Sequence, residues 1–209
     1  MYFYCVRHGE SVYNAEGRIQ GHLDVPLSDL GRRQGEAIAE ALAAQRVDAI
    51  YASPLRRALE TAEIVSHRLN LPIRTDDRLK EINVGIFQNR LRTEVAQLYP
   101  EAFARWISGE LDFVVPGGES RRMLQQRGCA VLRDIAAVRH QRVAVIAHGR
   151  LLVVALGALV PIPAGPAAPT LENASITTVR HNPDGSWELT AYNQVEHLAA
   201  VDLSGAGDL

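Results

Sequence analysis

Two His-Gly pairs stand far apart in this chain, His8-Gly9 and His148-Gly149, with Arg7 before the first and Arg150 after the second. With 7 His and 16 Gly in 209 residues, chance supplies about half of one such pair, so two pairs with flanking arginines are a signal. Imidazoles, guanidinium groups and glycine-exposed backbone N–H groups together suit a dianion, whose charge is costly to desolvate without such partners. Phosphate is the natural candidate. An imidazole held neutral by neighbouring cations could attack it, and a second could donate to its oxygens.

Such chemistry needs elements that bring residues 8 and 148 together. Short apolar runs at 2–6, 49–52, 73–75, 143–147, 176–180 and 187–191 alternate with segments of helical period, which predicts an α/β protein. The architecture expected is a three-layer α/β/α sandwich with a mostly parallel central sheet and an antiparallel edge strand. Each His-Gly pair then follows the carboxyl end of a strand, where open α/β sheets hold their ligands. Ser28 is a cap for a helix with Leu30, Ala37, Ile38, Ala41 and Leu42 on its apolar stripe. A second helix runs from about Leu55 to Leu69, another covers 119–139, and one more follows Gly149. Asn182, Pro183, Asp184 and Gly185 form a turn that makes the last two strands a hairpin.

Residues 1–209 read as one domain with a helical, lid-like insertion at about 82–118, ending in the turn Pro116-Gly117-Gly118. The tail from Ser204 to Leu209 is expected to fray. Hydrophobic residues are 47% and charged residues 22% of the chain, which excludes a disordered segment, a collagen-like fibre or a disulfide scaffold. The net charge of −2 argues against a nucleic-acid partner, so any phosphate affinity is local. Cys5 and Cys129 are single and lack metal or redox spacing, and read as core thiols. The apolar run from Leu151 to Ile162 is broken by Gly157 and Pro161, too short for a membrane span. No cofactor and no metal are expected, a cytoplasmic location is the default, and a homodimer is compatible with the sequence but not decided by it.

The residues Arg7-His8-Gly9-Glu10-Ser11, Asn14 and Gly17-Arg18-Ile19-Gln20-Gly21 resemble the opening of the histidine phosphatase superfamily, which includes phosphoglycerate mutases, fructose-2,6-bisphosphatase and broad-specificity phosphatases. The resemblance continues through Leu27-Ser28-Asp29-Leu30-Gly31, Ala52-Ser53-Pro54-Leu55-Arg56-Arg57-Ala58, Leu79-Lys80-Glu81-Ile82, Pro116-Gly117-Gly118-Glu119-Ser120, Ala147-His148-Gly149 and Asn173-Ala174-Ser175-Ile176-Thr177, over about residues 2–195. In pattern it is closest to the broad-specificity phosphatase branch. It implies that His8 is a nucleophile phosphorylated during turnover and that Arg7, Arg57 and His148 surround the phosphoryl group. It also implies that Asn14 and Gly149 add phosphate contacts, while Glu81 serves as acid and then base. Phe87 and Asn89 stand where that branch commonly has Trp and Gly, so the substrate pocket departs from it.

The activity expected is metal-independent hydrolysis of small phosphomonoesters. A phosphoglycerate mutase is the runner-up, and a catalytically weak phospholigand-binding module is the alternative of another class. Gln20, Gly21, Arg90 and Arg121 are candidate substrate contacts, as one or two of Arg90, Arg92, Arg121 and Arg122 could bind a carboxylate or second phosphate. Taken without the motifs, Arg57 reads as half of a surface ion pair with a nearby glutamate, and Glu81 as a solvated carboxylate.

Overall fold

The structure is a computed structural model that describes residues 1–161 and 170–201. In chain order the elements are β1 (Tyr2–Arg7), α1 (Val12–Ala15), α2 (Asp29–Ala44), β2 (Ala49–Ala52), α3 (Arg56–Leu69), β3 (Ile73–Thr75), α4 (Arg92–Leu98), α5 (Pro100–Ser108), α6 (Arg121–Ala136), β4 (Arg142–Ala147), α7 (Gly149–Gly157), β5 (Ile176–His181) and β6 (Trp187–Gln194). The strands form one sheet in the order β3-β2-β4-β1-β5-β6. Pairings β1–β4, β4–β2 and β2–β3 are parallel, whereas β5 runs antiparallel to both β1 and β6. The expected sandwich is therefore present, with the antiparallel hairpin at one edge.

Alternation along the central strands builds two cores, because successive side chains point to opposite faces. Phe3, Cys5, Val143 and Val145 bury one face against Leu124 and Leu132 of α6 and Leu151 of α7. Tyr4, Val6, Ala144 and Ile146 bury the other against Ile38 and Leu42 of α2 and Ala62 and Val65 of α3. Both cysteines are free and buried, as expected, and burial pushes the Cys5 thiol up to about 12.

All six strand centres fall where periodicity put them, with β6 extending three residues further than expected. Ser28 caps α2 by accepting from Gly31 N–H. Within 82–118 the chain forms α4, α5 and a 3-10 turn at Gly85–Phe87. The two ends of this segment clasp each other: Ile86 N–H donates to Pro116 O at 3.1 Å, and Gly85 has φ +44°. A Cβ on Gly85 would stand 2.0 Å from Pro116 O, so only glycine closes this contact. The expected fraying of residues 204–209 lies outside the described residues. Among the described residues no helix is long and apolar enough to cross a membrane.

Candidate active site

Parallel pairing of β1 with β4 sets Arg7 opposite Ala147, so the histidine after each strand emerges beside the other. The His8 and His148 rings lie 5.1 Å apart between centroids at 62°, although 139 residues separate them in sequence. The loop carrying His8 is pinned to the start of α2, where a Cβ on Gly9 would stand 2.4 Å from Gly31 O. Two glycines let backbone touch backbone there, and this fixes the position of His8.

His8 is 3% exposed, and its Nδ1 lies 2.6 Å from Gly9 O. A carbonyl can only accept, so Nδ1 carries the ring proton and Nε2 keeps a lone pair. Arg57 Nε–H donates to that Nε2 at 3.2 Å. Burial first, then the charges of Arg57 and Arg7, hold His8 well below the usual imidazole range. The ring is a neutral base whose unprotonated nitrogen accepts from a buried cation.

Arg57 itself is 1% exposed. Its Nη1 donates to Leu23 O at 3.0 Å and its Nη2 to Gly21 O at 2.9 Å. Burial lowers its pKa to about 10, which still leaves it a cation at neutral pH. The surface ion pair belongs instead to its neighbour: Arg56 Nε meets Glu60 Oε1 at 2.7 Å. Arg7 donates through Nη1 to Leu171 O, and its buried Nε has no partner among the described residues.

His148 is wholly buried, with Nε2 at 2.8 Å from Ser53 Oγ. Ser53 Oγ already accepts from Leu55 N–H at 3.2 Å, so its own proton is available to His148 Nε2. The other ring nitrogen, Nδ1, is buried without a partner among the described residues, and burial, Arg57 and His8 together hold the ring well below the usual range. The ring lies against His8 rather than in the cavity wall, where the sequence had placed both imidazoles.

Both histidines stay neutral when folded and protonate more readily when unfolded. The unfolded chain therefore binds more protons below about pH 6.5, and stability falls as pH drops through that value. Each contributes a slope approaching about 1.4 kcal/mol per pH unit. Urea unfolding of the native protein at pH 7.5 and 5.5 should show a lower midpoint at 5.5, and the double variant His8→Asn/His148→Asn should show a smaller drop. Equal drops in the two proteins would contradict neutral burial.

Glu81 enters from the loop before the insertion. Its Oε1 accepts from Ile82 N–H at 2.8 Å and Leu151 N–H at 3.1 Å, and its Oε2 accepts from Arg150 N–H at 3.1 Å. It thus caps α7, whose own N-cap residue, His148, makes no side-chain cap. The backbone of Glu81 is held as firmly. Glu81 O accepts from His22 Nε2 at 2.6 Å and from Arg127 Nη2 at 2.8 Å. Arg127 also pairs with Glu119 at 2.6 Å, and Glu119 Oε1 accepts from Asn83 N–H at 2.9 Å. Sequence reasoning missed this support, whose only signal was Glu119 within the Pro-Gly-Gly-Glu-Ser motif.

A cavity of about 310 Å³ opens above these groups, and Arg7, His8, Asn14, Arg57, Glu81 and Gly149 all line it. Asn14 Oδ1 accepts from Ser11 N–H, Ser11 Oγ and Asn173 Nδ2, which leaves its amide N–H groups to face the cavity. Gln20 and Gly21 are in the wall, as expected. Arg90 and Arg121 are not. Arg90 donates to Ile86 O and lies over Tyr99, while Arg121 donates to Trp106 O at 2.6 Å, so both brace the insertion. The arginines that do reach the wall, beyond Arg7 and Arg57, are Arg18, Arg92 and Arg150. Among the described residues no group of three His, Cys, Asp or Glu is placed to hold a metal ion.

A neutral imidazole facing a cavity with two buried guanidinium groups and one carboxylate can accept and release a phosphoryl group. The family model for the histidine phosphatase superfamily (branch 1) matches residues 3–195. The chain is 37% identical over 206 residues to a metal-independent phosphoserine phosphatase of Arabidopsis thaliana, covering 97% of this chain and 85% of the relative. It is 35% identical over 205 residues to phosphoglycerate mutase-like protein 4 of the same plant, covering 97% and 89%. Among solved structures, a mycobacterial glucosyl-3-phosphoglycerate phosphatase in complex with VO3 superposes with a TM-score of 0.84 at 32% identity, covering 93% of this chain and 99% of that one. By its sequence, its sheet and the residues gathered at the ends of β1 and β4, the chain belongs to the histidine phosphatase superfamily.

Proposed function

We propose that this phosphoric monoester hydrolase is a metal-independent phosphatase that acts on small phosphorylated metabolites through a phosphohistidine at His8. The observation that carries the proposal is the hydrogen bond from His8 Nδ1 to Gly9 O, which leaves Nε2 as a lone pair beside Arg57 and Arg7. Nε2 attacks phosphorus as the bond to the leaving oxygen breaks, and Arg7, Arg57 and the Asn14 amide stabilise the charge on the equatorial oxygens. His148 lies outside the cavity wall and buttresses the His8 ring, its centroid 5.1 Å away. Glu81 gives a proton to the departing alkoxide from Oε2, the oxygen with a single backbone bond. A phosphomonoester that arrives with one proton can share it there. After the alcohol leaves, water enters, loses a proton to Glu81 and attacks the phosphohistidine, which frees inorganic phosphate and returns His8 to its neutral state.

Segment 82–118 supplies Val84, Arg92 and Trp106 to the wall and serves as the lid of a catalytic unit made by the whole chain. The guanidinium groups supply the positive charge that a metal supplies elsewhere, in keeping with the name of the metal-independent Arabidopsis relative. The mycobacterial relative has been solved in complexes with VO3 and with inorganic phosphate, which supports an oxyanion in the equivalent cavity here.

The test is phosphate release from p-nitrophenyl phosphate and 3-phosphoglycerate with and without EDTA. Equal release in both conditions is expected. Loss of activity in EDTA with recovery on adding a divalent ion would defeat the proposal. A mutase, favoured by the name of the other Arabidopsis relative, would instead interconvert phosphoglycerates in a reaction that needs a bisphosphate.

A further inference from the structure

The cavity wall carries more positive charge than one phosphoryl group needs. Five arginines, Arg7, Arg18, Arg57, Arg92 and Arg150, line it, against one acidic residue, Glu81, among the described residues. Their commitments differ. Arg57 and Arg7 hold backbone carbonyls around His8, and Arg18 is paired with Glu16 at 2.9 Å and with Asn89 O. Arg92 and Arg150 have no acidic partner among the described residues. Arg92 lies over the Trp106 ring at 5.3 Å, which leaves the edge of its guanidinium open.

Their position relative to the chemistry is set by Glu81. The acid must stand at the leaving oxygen, so the wall around Glu81 faces the alcohol half of the substrate. Arg150 follows directly on the α7 start that Glu81 caps, and its N–H is one of the groups bound to the carboxylate. Trp106, with Arg92 stacked on it, belongs to the same wall.

We propose that Arg150 and Arg92 form a subsite for a second anionic group on the alcohol half, a carboxylate or a second phosphate, and that this subsite selects the substrate. The proposal rests on the phosphatase reading and adds the class of leaving group to it. Arg150 is also felt as a like charge by both Arg7 and Arg121, whose proton affinities it lowers. Glu81 offsets part of this crowding at Arg7, and an anion bound between Arg150 and Arg92 would relieve more of it. Trp106 and Val153 give the carbon skeleton an apolar surface between the two anionic ends.

The experiment compares kcat/KM for three alkyl phosphates: 3-phosphoglycerate, glycerol 3-phosphate, which lacks its carboxylate, and fructose 1,6-bisphosphate. It uses the native protein, Arg150→Ala, Arg92→Ala and the conservative Arg150→Lys. A prior assay on p-nitrophenyl phosphate establishes the phosphatase itself, so absence of activity there speaks against the parent reading and not the subsite. The native protein should prefer at least one dianionic-plus-anionic ester over glycerol 3-phosphate by about 10- to 100-fold. Arg150→Ala and Arg92→Ala should bring that ratio towards one, chiefly through KM, and Arg150→Lys should retain part of it. Preference for 3-phosphoglycerate identifies a carboxylate as the occupant, and preference for the bisphosphate a phosphate. A native protein without preference for either ester, or variants whose ratios stay within twofold of native, would overturn the subsite.

Discussion

His8→Ala should abolish phosphate release, by about 10⁴-fold or more, and with it any acid-labile label that the native protein takes up from a radiolabelled phosphodonor. The size of the effect follows from the geometry of one ring. Gly9 O fixes the proton on Nδ1, and burial with Arg57 and Arg7 favours the neutral ring, so Nε2 is the nitrogen proposed to attack at neutral pH. No other neutral nitrogen lines the cavity among the described residues' imidazoles, since His148 is wholly buried next to Ser53. Rapid quenching in base and then acid should show the label stable in the first and lost in the second. A label of undiminished size in His8→Ala would place the covalent bond elsewhere and remove the mechanism.

Glu81→Gln should divide substrates by their leaving groups. An alkyl phosphate needs a proton on the departing oxygen, and loss of the acid should lower kcat by about 10²- to 10⁴-fold. p-Nitrophenolate leaves without that help, so hydrolysis of its phosphate should fall far less in the first step. The later attack of water still needs a base, so the variant should accumulate phosphohistidine with the aryl substrate and show a burst of nitrophenol. Equal losses on alkyl and aryl substrates without a burst would mean that Glu81 serves only to cap α7. The substituted amide keeps an acceptor oxygen for Ile82 and Leu151 N–H and gives up only the bond to Arg150 N–H, so a thermal melt lowered by a few degrees at most is expected and separates chemistry from folding.

The sheet and the meeting of the two histidines were legible in the sequence because both depend on local pattern. Short apolar runs end at Arg7 and Ala147, and parallel pairing of adjacent strands does the rest. Arg57 shows the limit of local reading. Its helical spacing to acidic residues suggests a solvated pair, yet Arg56 takes Glu60 and Arg57 turns inward to His8, a choice made by which face of α3 meets the sheet. The arginines of the insertion show it again. Arg90 precedes α4 and folds back on Ile86 O, while Arg92 begins that helix and reaches the cavity, two positions apart with opposite outcomes. Arg127 carried no pattern at all. Its value comes from the carbonyls of Arg78, Lys80 and Glu81, a cluster that only tertiary structure assembles.

The place of β4 in the sheet has a consequence for how the protein is born. β4 lies between β1 and β2, and those two strands share no ladder of their own. While a ribosome is still making the residues that precede Arg142, β1 has no parallel neighbour, and the apolar faces of both strands wait for a segment not yet synthesised. Docking of that strand joins β1 to β2 and sets the second imidazole beside the first in one event, with the β5–β6 hairpin still to be added. Such long-range closure is slow compared with helix formation, so apolar strand faces stay exposed during that interval.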